Sequence, residues 1–124
     1  MHAVHRLQEL EQKYGILIEH MGQGICLLDK NMIITFANRK MREIMECKKD
    51  ELLGKNVLSF FEGENKKRLT SELKKRVHGI SSTYTVSTKT KGGKQIFISI
   101  DVVPLLDRER KFNGSFAIIS DITE

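Results

Sequence analysis

Histidine and cysteine are the side chains best suited to nucleophilic, acid–base or metal chemistry. This chain carries four of the first, His2, His5, His20 and His78, and two of the second, Cys26 and Cys47. His2 and His5 could share a helix face as metal ligands, but they stand at a terminus, where fraying outweighs that reading. His20 and His78 lie at the ends of helical stretches, with a proton switch at His20 as the minor alternative. No Cys-His or Ser-His pair is spaced for nucleophilic attack, so neither catalysis nor a metal site is expected. Cys26 reads either as a small buried hydrophobe or as a redox- or ligand-sensing thiol, and Cys47, beside two lysines, as an exposed loop residue. The run KKRLTSELKKR at 66–76 is basic enough to suggest phosphate contacts. Glu62, Glu64 and Glu72 interrupt it and no aromatic interleaves to stack on bases, so it reads as a solvated helix face with no nucleic-acid partner.

The elements that hold these residues must fit into 124 positions, a common length for one domain with one core. Hydrophobic residues at 40% and charged residues at 30%, with a net charge of +5, describe an ordinary globule and exclude disordered or fibrous classes. Two cysteines are too few for a disulfide framework and suit a reducing, cytoplasmic setting. No apolar run approaches the roughly 20 residues that span a bilayer, although a membrane-anchored parent chain is compatible with this window.

Along the chain, Ala3, Leu7, Leu10, Tyr14, Leu17 and Met21 step by four and three, a narrow seam of coiled-coil type over residues 1–21. Two short apolar runs in GICLLDKNMIITFAN flank a turn at Asp29, Lys30 and Asn31. Asn38 is placed to cap a helix carrying Met41, Ile44 and Met45, and Gly54 closes a second short turn. NKKRLTSELKKRVHG predicts a helix with Leu69, Leu73 and Val77 on its apolar face, ended by Gly79. The period then changes to two. STYTVSTKT and QIFISIDVV form a hairpin across Gly92 and Gly93, Pro104 is expected to stop the second arm, and SFAIIS is a final strand.

GICLL and SFAIIS are apolar on both faces, which requires cover on both sides and predicts that they are adjacent and central. The alternating strands fall towards an edge. One face of the sheet would meet the helices between Asn38 and Gly79. The other would meet the N-terminal helix or a second subunit.

This order of elements resembles the PAS domain, a sensory module of signalling proteins. The likeness covers about residues 16–124 and is carried jointly by Asp29 and Asn38, ELLGKN at 51–56, KGGK at 91–94, Pro104, Gly114 and SDIT at 120–123. It implies an α+β fold: a five-stranded antiparallel sheet in order 2-1-5-4-3, helices on one face and the N-terminal amphipathic helix on the other. The chain then divides into a dimerisation helix at 1–21 and a PAS domain at 22–124. It further implies that Asp121 and Thr123 form the signal exit, Asp121 capping a helix that leads to a covalently attached effector domain. The simpler reading has Asp121 only end a strand.

The family's cofactors can be weighed on the same residues. Light-sensing flavin members carry a reactive cysteine just after the Gly-Lys step, where this chain reads GKNVLSFF, and polar residues where it has Thr88, Ile98 and Ile119. Haem members place a histidine within the long helix, where Arg68 and Leu69 stand. Both cofactors are disfavoured, leaving a filled core or a small apolar ligand. Candidate walls are Cys26, Leu28, Ile34, Phe36, Met41, Met45, Leu58, Phe61, Leu69, Leu73, Tyr84, Val86, Ile98, Ile100, Ala117 and Ile119. Leu7, Leu10, Tyr14, Leu17, Met21, Phe116 and Ile118 are the candidate contacts of a homodimer. Two functions are expected: a sensory input module of a sensor histidine kinase or transcriptional regulator in a two-component or related system, or a ligand-free protein–protein assembly domain.

Overall fold

Five segments form strands, β1 (Gly24–Leu28), β2 (Ile34–Ala37), β3 (Ser82–Lys89), β4 (Gln95–Leu106) and β5 (Phe112–Asp121), of which β3 and β4 show the two-residue alternation most plainly. In this computed structural model, which describes Leu17 and residues 22–123, all neighbours pair antiparallel in the order β2-β1-β5-β4-β3. The doubly apolar strands β1 and β5 are adjacent near the middle, as their composition predicts. Three helices, α1 (Arg39–Met45), α2 (Lys49–Leu52) and α3 (Gly63–Val77), and a 3₁₀ turn at Val57–Phe60 separate β2 from β3. They pack on one face, the inner face, of the sheet. No described helix is long and apolar enough to cross a membrane. Leu17 is exposed and helical; Leu7, Leu10, Tyr14 and Met21, and with them the seam, lie outside the described residues.

The three hairpins share one turn chemistry. Asp29 Oδ1 accepts the amides of Asn31 at 2.8 Å and Ile33 at 3.0 Å, and Asp107 Oδ1 accepts those of Glu109 at 2.8 Å and Lys111 at 3.0 Å. Thr90 Oγ1 accepts from Lys94 at 3.1 Å in the β3–β4 turn. Each turn has a left-handed residue at the fourth position: Met32 (φ 67°), Gly93 (φ 88°) and Arg110 (φ 63°). Side-chain acceptors gather loop amides that the ladders leave unpaired, which offsets the left-handed cost at Met32 and Arg110.

Asn38 joins sheet to helix. Its Oδ1 accepts the amides of Met41, capping α1, and of Ile25 on β1, both at 2.9 Å, while Nδ2 donates to the Gln23 carbonyl at 3.1 Å. The side chain is fully buried, so each bond forms away from competing water.

Three expectations are corrected. Phe36 does not share a face with Ile34: the pairing slips between Leu27 and Leu28, so Thr35 is an extra residue, and Phe36 opposite Leu27 points outward while Ile34 and Ala37 point in. Pro104 does not stop β4, which runs on to Leu106. β3 has already ended its pairing at Val102, so at Pro104 only β5 is a neighbour and the missing N–H breaks no ladder bond on the free side. In α3 the inward face is turned from the expected one: Leu69, Glu72 and Arg76 are buried, Leu73 is partly so, and Val77 is 51% exposed.

Candidate ligand cavity

Between the inner sheet face and the helices lies a cavity of about 50 Å³. Strand parity supplies Cys26 and Leu28 from β1, Ile34 from β2, Tyr84 from β3, Ile98 and Ile100 from β4, and Ala117 and Ile119 from β5. Met41 and Met45 reach it from α1, Leu69 from α3 and Phe61 from the loop before α3. Four expected wall residues do not line it: Phe36 faces outward, Leu58 and Leu73 pack half-buried against the core, and Val86 is buried in the core away from the space. Met32, Ala37, Leu52, Val57, Phe60, Val102 and Arg76 line it without having been anticipated.

Arg76 is the exceptional member, being 1% exposed. Its Nε donates to Ser115 Oγ at 2.8 Å, with Ser115 itself fully buried on β5, and Nη2 donates to the Met32 sulfur at 3.6 Å. Nη1 is buried and has no hydrogen-bond partner among the described residues. Burial pulls the guanidinium's pKa down, with the nearby Tyr84 phenol and Glu72 carboxylate opposing it; an arginine stays charged under any such shift. Burial pushes the Tyr84 hydroxyl up, and Arg76 draws it part of the way back. Glu72, one turn before Arg76, is bonded by Arg68 at 3.0 Å and Lys75 at 3.1 Å. Burial raises its pKa, but Ser82, Lys75 and Arg68 outweigh that and leave it below the usual carboxylate range. Arg68 also lies 5.4 Å from the centre of the Tyr84 ring. The signal for these residues was present in the helical spacing of Asn65, Leu69, Glu72 and Arg76, but binary patterning assigns charged positions to water.

Cys26 is buried in the cavity wall, and desolvation pushes its thiol up to about 12. It is therefore a neutral thiol near pH 7, with little thiolate for redox or nucleophilic chemistry. Cys47 is half-buried; burial and then Glu51 raise its pKa too. No group of three or more metal-ligating side chains converges among the described residues. A flavin or haem does not fit as the core stands, since pockets for molecules of that size run to about 300–1,000 Å³. The Val57–Phe60 turn, where the flavin-linking cysteine would be sought, instead contributes Val57 and Phe60 to the apolar wall.

At the exit from β5, Asp121 pairs with Ile98 in the ladder, and its Oδ1 accepts the Thr123 amide at 2.9 Å. The Thr123 hydroxyl and backbone amide together hold the Asp121 carboxyl below its ordinary range. Thr123 Oγ1 accepts the Phe97 amide at 2.8 Å, and the Ile122 amide donates to the Phe97 carbonyl at 2.9 Å. The exit segment is thus stitched to β4 next to Ile98, a wall of the cavity.

A family model described as the PAS fold matches residues 18–124. The chain belongs to the PAS family. Solved PAS structures share its fold at low sequence identity. The PAS domain of an HTR-like protein from Haloarcula marismortui aligns with a TM-score of 0.79 at 17% identity, covering 98% of each chain. A PAS domain from Colwellia psychrerythraea aligns at 0.81 and 20% identity, over 92% of this chain and 98% of that one. A PAS domain from a two-component sensor histidine kinase aligns at 0.74 and 19% identity, over the same shares, 92% and 98%. No curated protein matches the chain.

Proposed function

We propose that this PAS domain is the sensory input module of a larger cytoplasmic signal-transduction protein, such as a sensor histidine kinase or transcriptional regulator, with no catalysis of its own. It dimerises through the seam in residues 1–21 and the outer sheet face around Phe116 and Ile118. A change at the cavity passes to the Asp121–Thr123 exit and on to a covalently attached effector. The observation that carries the reading is the Ile98–Asp121 pair: one residue of the ladder walls the cavity while its partner begins the exit. A ligand that favours one packing of Ile98 shifts the population of exit geometries by its differential affinity. The kinship of a histidine-kinase PAS domain supports the choice of output class.

The small volume of the cavity favours a second reading, a ligand-free assembly domain. Native mass spectrometry of purified protein, with absorbance recorded beyond the aromatic band, separates the two. A retained small molecule supports sensing, whereas repeated absence supports assembly. Sedimentation of the chain with and without residues 1–21 tests the dimer, and a monomer at high concentration in both forms removes it.

A further inference from the structure

A closed cavity is reached only through its walls, and two of them, Met45 and Phe60, also line an open groove of about 520 Å³ between the end of β3 and the helices. Each of these side chains contributes atoms to both spaces and so stands between them. Both are suited to move. Met45 has an unbranched, adaptable chain, and Phe60 is half-buried at the end of the 3₁₀ turn, whose hydrogen-bond geometry is poorer than that of an α-helix. Three bonds hold this region shut: the Thr88 hydroxyl donates to the Phe60 carbonyl, the Ser87 amide donates to Asn65 Oδ1 at 2.9 Å, and Lys91 pairs with Glu51.

The two spaces differ in chemistry. The cavity is hydrocarbon and sulfur almost throughout, and its volume of about 50 Å³ holds about four carbon-sized atoms. The groove carries two acids, Glu51 and Glu62, two bases, Lys89 and Lys91, and the hydroxyls of Ser59 and Ser87. Its charges balance, which favours a neutral hydrogen-bonding group over an ion. We propose that Met45 and Phe60 form a door, and that the joined space binds an uncharged amphipathic small molecule, its tail of about three or four carbons among Cys26, Ile98 and Ala117 and its polar head in the groove. This deepens the sensory reading and rests on it for a role in signalling, whereas the site itself rests on packing.

Cys26 lines the cavity but not the groove, so its modification reports entry. The full chain is treated with methyl methanethiosulfonate, a small neutral thiol reagent, and Cys26 is followed by peptide mass. Phe60→Ala should speed its labelling at least about tenfold. Thr88→Val, which removes one of the closing bonds, should speed it about threefold and decides the matter should Phe60→Ala fail to fold. Unchanged rates, or an equal rise in Leu69→Ala, a wall that does not touch the groove, overturn the door. Titration with the n-alcohols from ethanol to hexanol, read by methyl NMR at Met45, Ile98 and Ala117, tests the ligand class. Affinity should rise about fourfold per carbon as far as butanol and then level off. No saturation by butanol, affinity still climbing at the same rate through hexanol, or undiminished binding by Ala117→Val, which fills the inner end, overturns the site. Butanol binding that leaves amide exchange at Phe97 and Thr123 unchanged sustains the site and overturns the sensory reading instead.

Discussion

Phe97 and Ile98 are neighbours on β4 and sit in opposite environments. Ile98 is 1% exposed within the helix-covered core, and Phe97, on the reverse of the sheet, is 46% exposed. The contrast extends along the strand: Ile96, Ile100 and Val102 are buried, while Val103 is not. It continues on β5, where Ala117 and Ile119 are buried and Phe116 and Ile118 only half so. Both faces are apolar, but among the described residues only the inner one encloses a cavity and a buried charge. Hydrophobicity alone therefore does not mark the inside of this sheet; the inner side is set apart by polar side chains held within the core, Arg76 on Ser115 and Asn38 on Ile25 and Met41.

The sharpest way to break the comparison is at the seam between the central strands. Gly114 has φ 125°, and a Cβ there would come 2.3 Å from the Leu28 carbonyl oxygen. Gly114→Ala should cost more than about 3 kcal/mol in urea unfolding, because strain and the β1–β5 contact add. Ile98→Ala should cost about 2–5 kcal/mol by loss of buried surface and enlargement of the cavity. Asn38→Ala removes a cap and two further bonds inside the protein, at about 2 kcal/mol, read from the same melts.

The pH dependence sharpens the inner-face description. Cys26 ionises near 12 when folded and near the ordinary thiol range when unfolded, so its contribution is complete below about pH 9 and lost as pH rises from 9 towards 12. Stability should fall by about 1.4 kcal/mol per pH unit in that window through this group. Cys26→Ala should show a shallower slope than the parent across it, and equal slopes would mean the thiol is already wet. The smallest effect belongs to the outer face: Phe97→Ala should change stability of the isolated subunit by less than about 1 kcal/mol. A loss matching that of Ile98→Ala would erase the distinction between faces.

Much of the scaffold was legible before any coordinates. The doubly apolar runs of β1 and β5 required central positions, the alternation of β3 and β4 fixed which residues face the helices, and Asn38 announced α1. Twelve of the sixteen expected wall residues line the cavity. Two of the misreadings come from the insertion or rotation of a single residue. An extra residue at Thr35 reverses Phe36, and no composition signal marks a bulge. A rotation of the inward face of α3 exchanges Val77 for Arg76, and the pattern could not reveal it because a charged residue is read as exposed until its partner is known.

What the sequence by itself determined was periodicity, and with it element type, capping and the apolar character of both faces of the central strands. Those are local or summed properties, set by spacing along the chain. Only the tertiary structure decided that Arg76 is buried, since that depends on Ser115 and Met32, 39 and 44 positions away, supplying acceptors at one point in space. A guanidinium enters a core only when such partners meet it, and their meeting is a consequence of the whole sheet closing over α3.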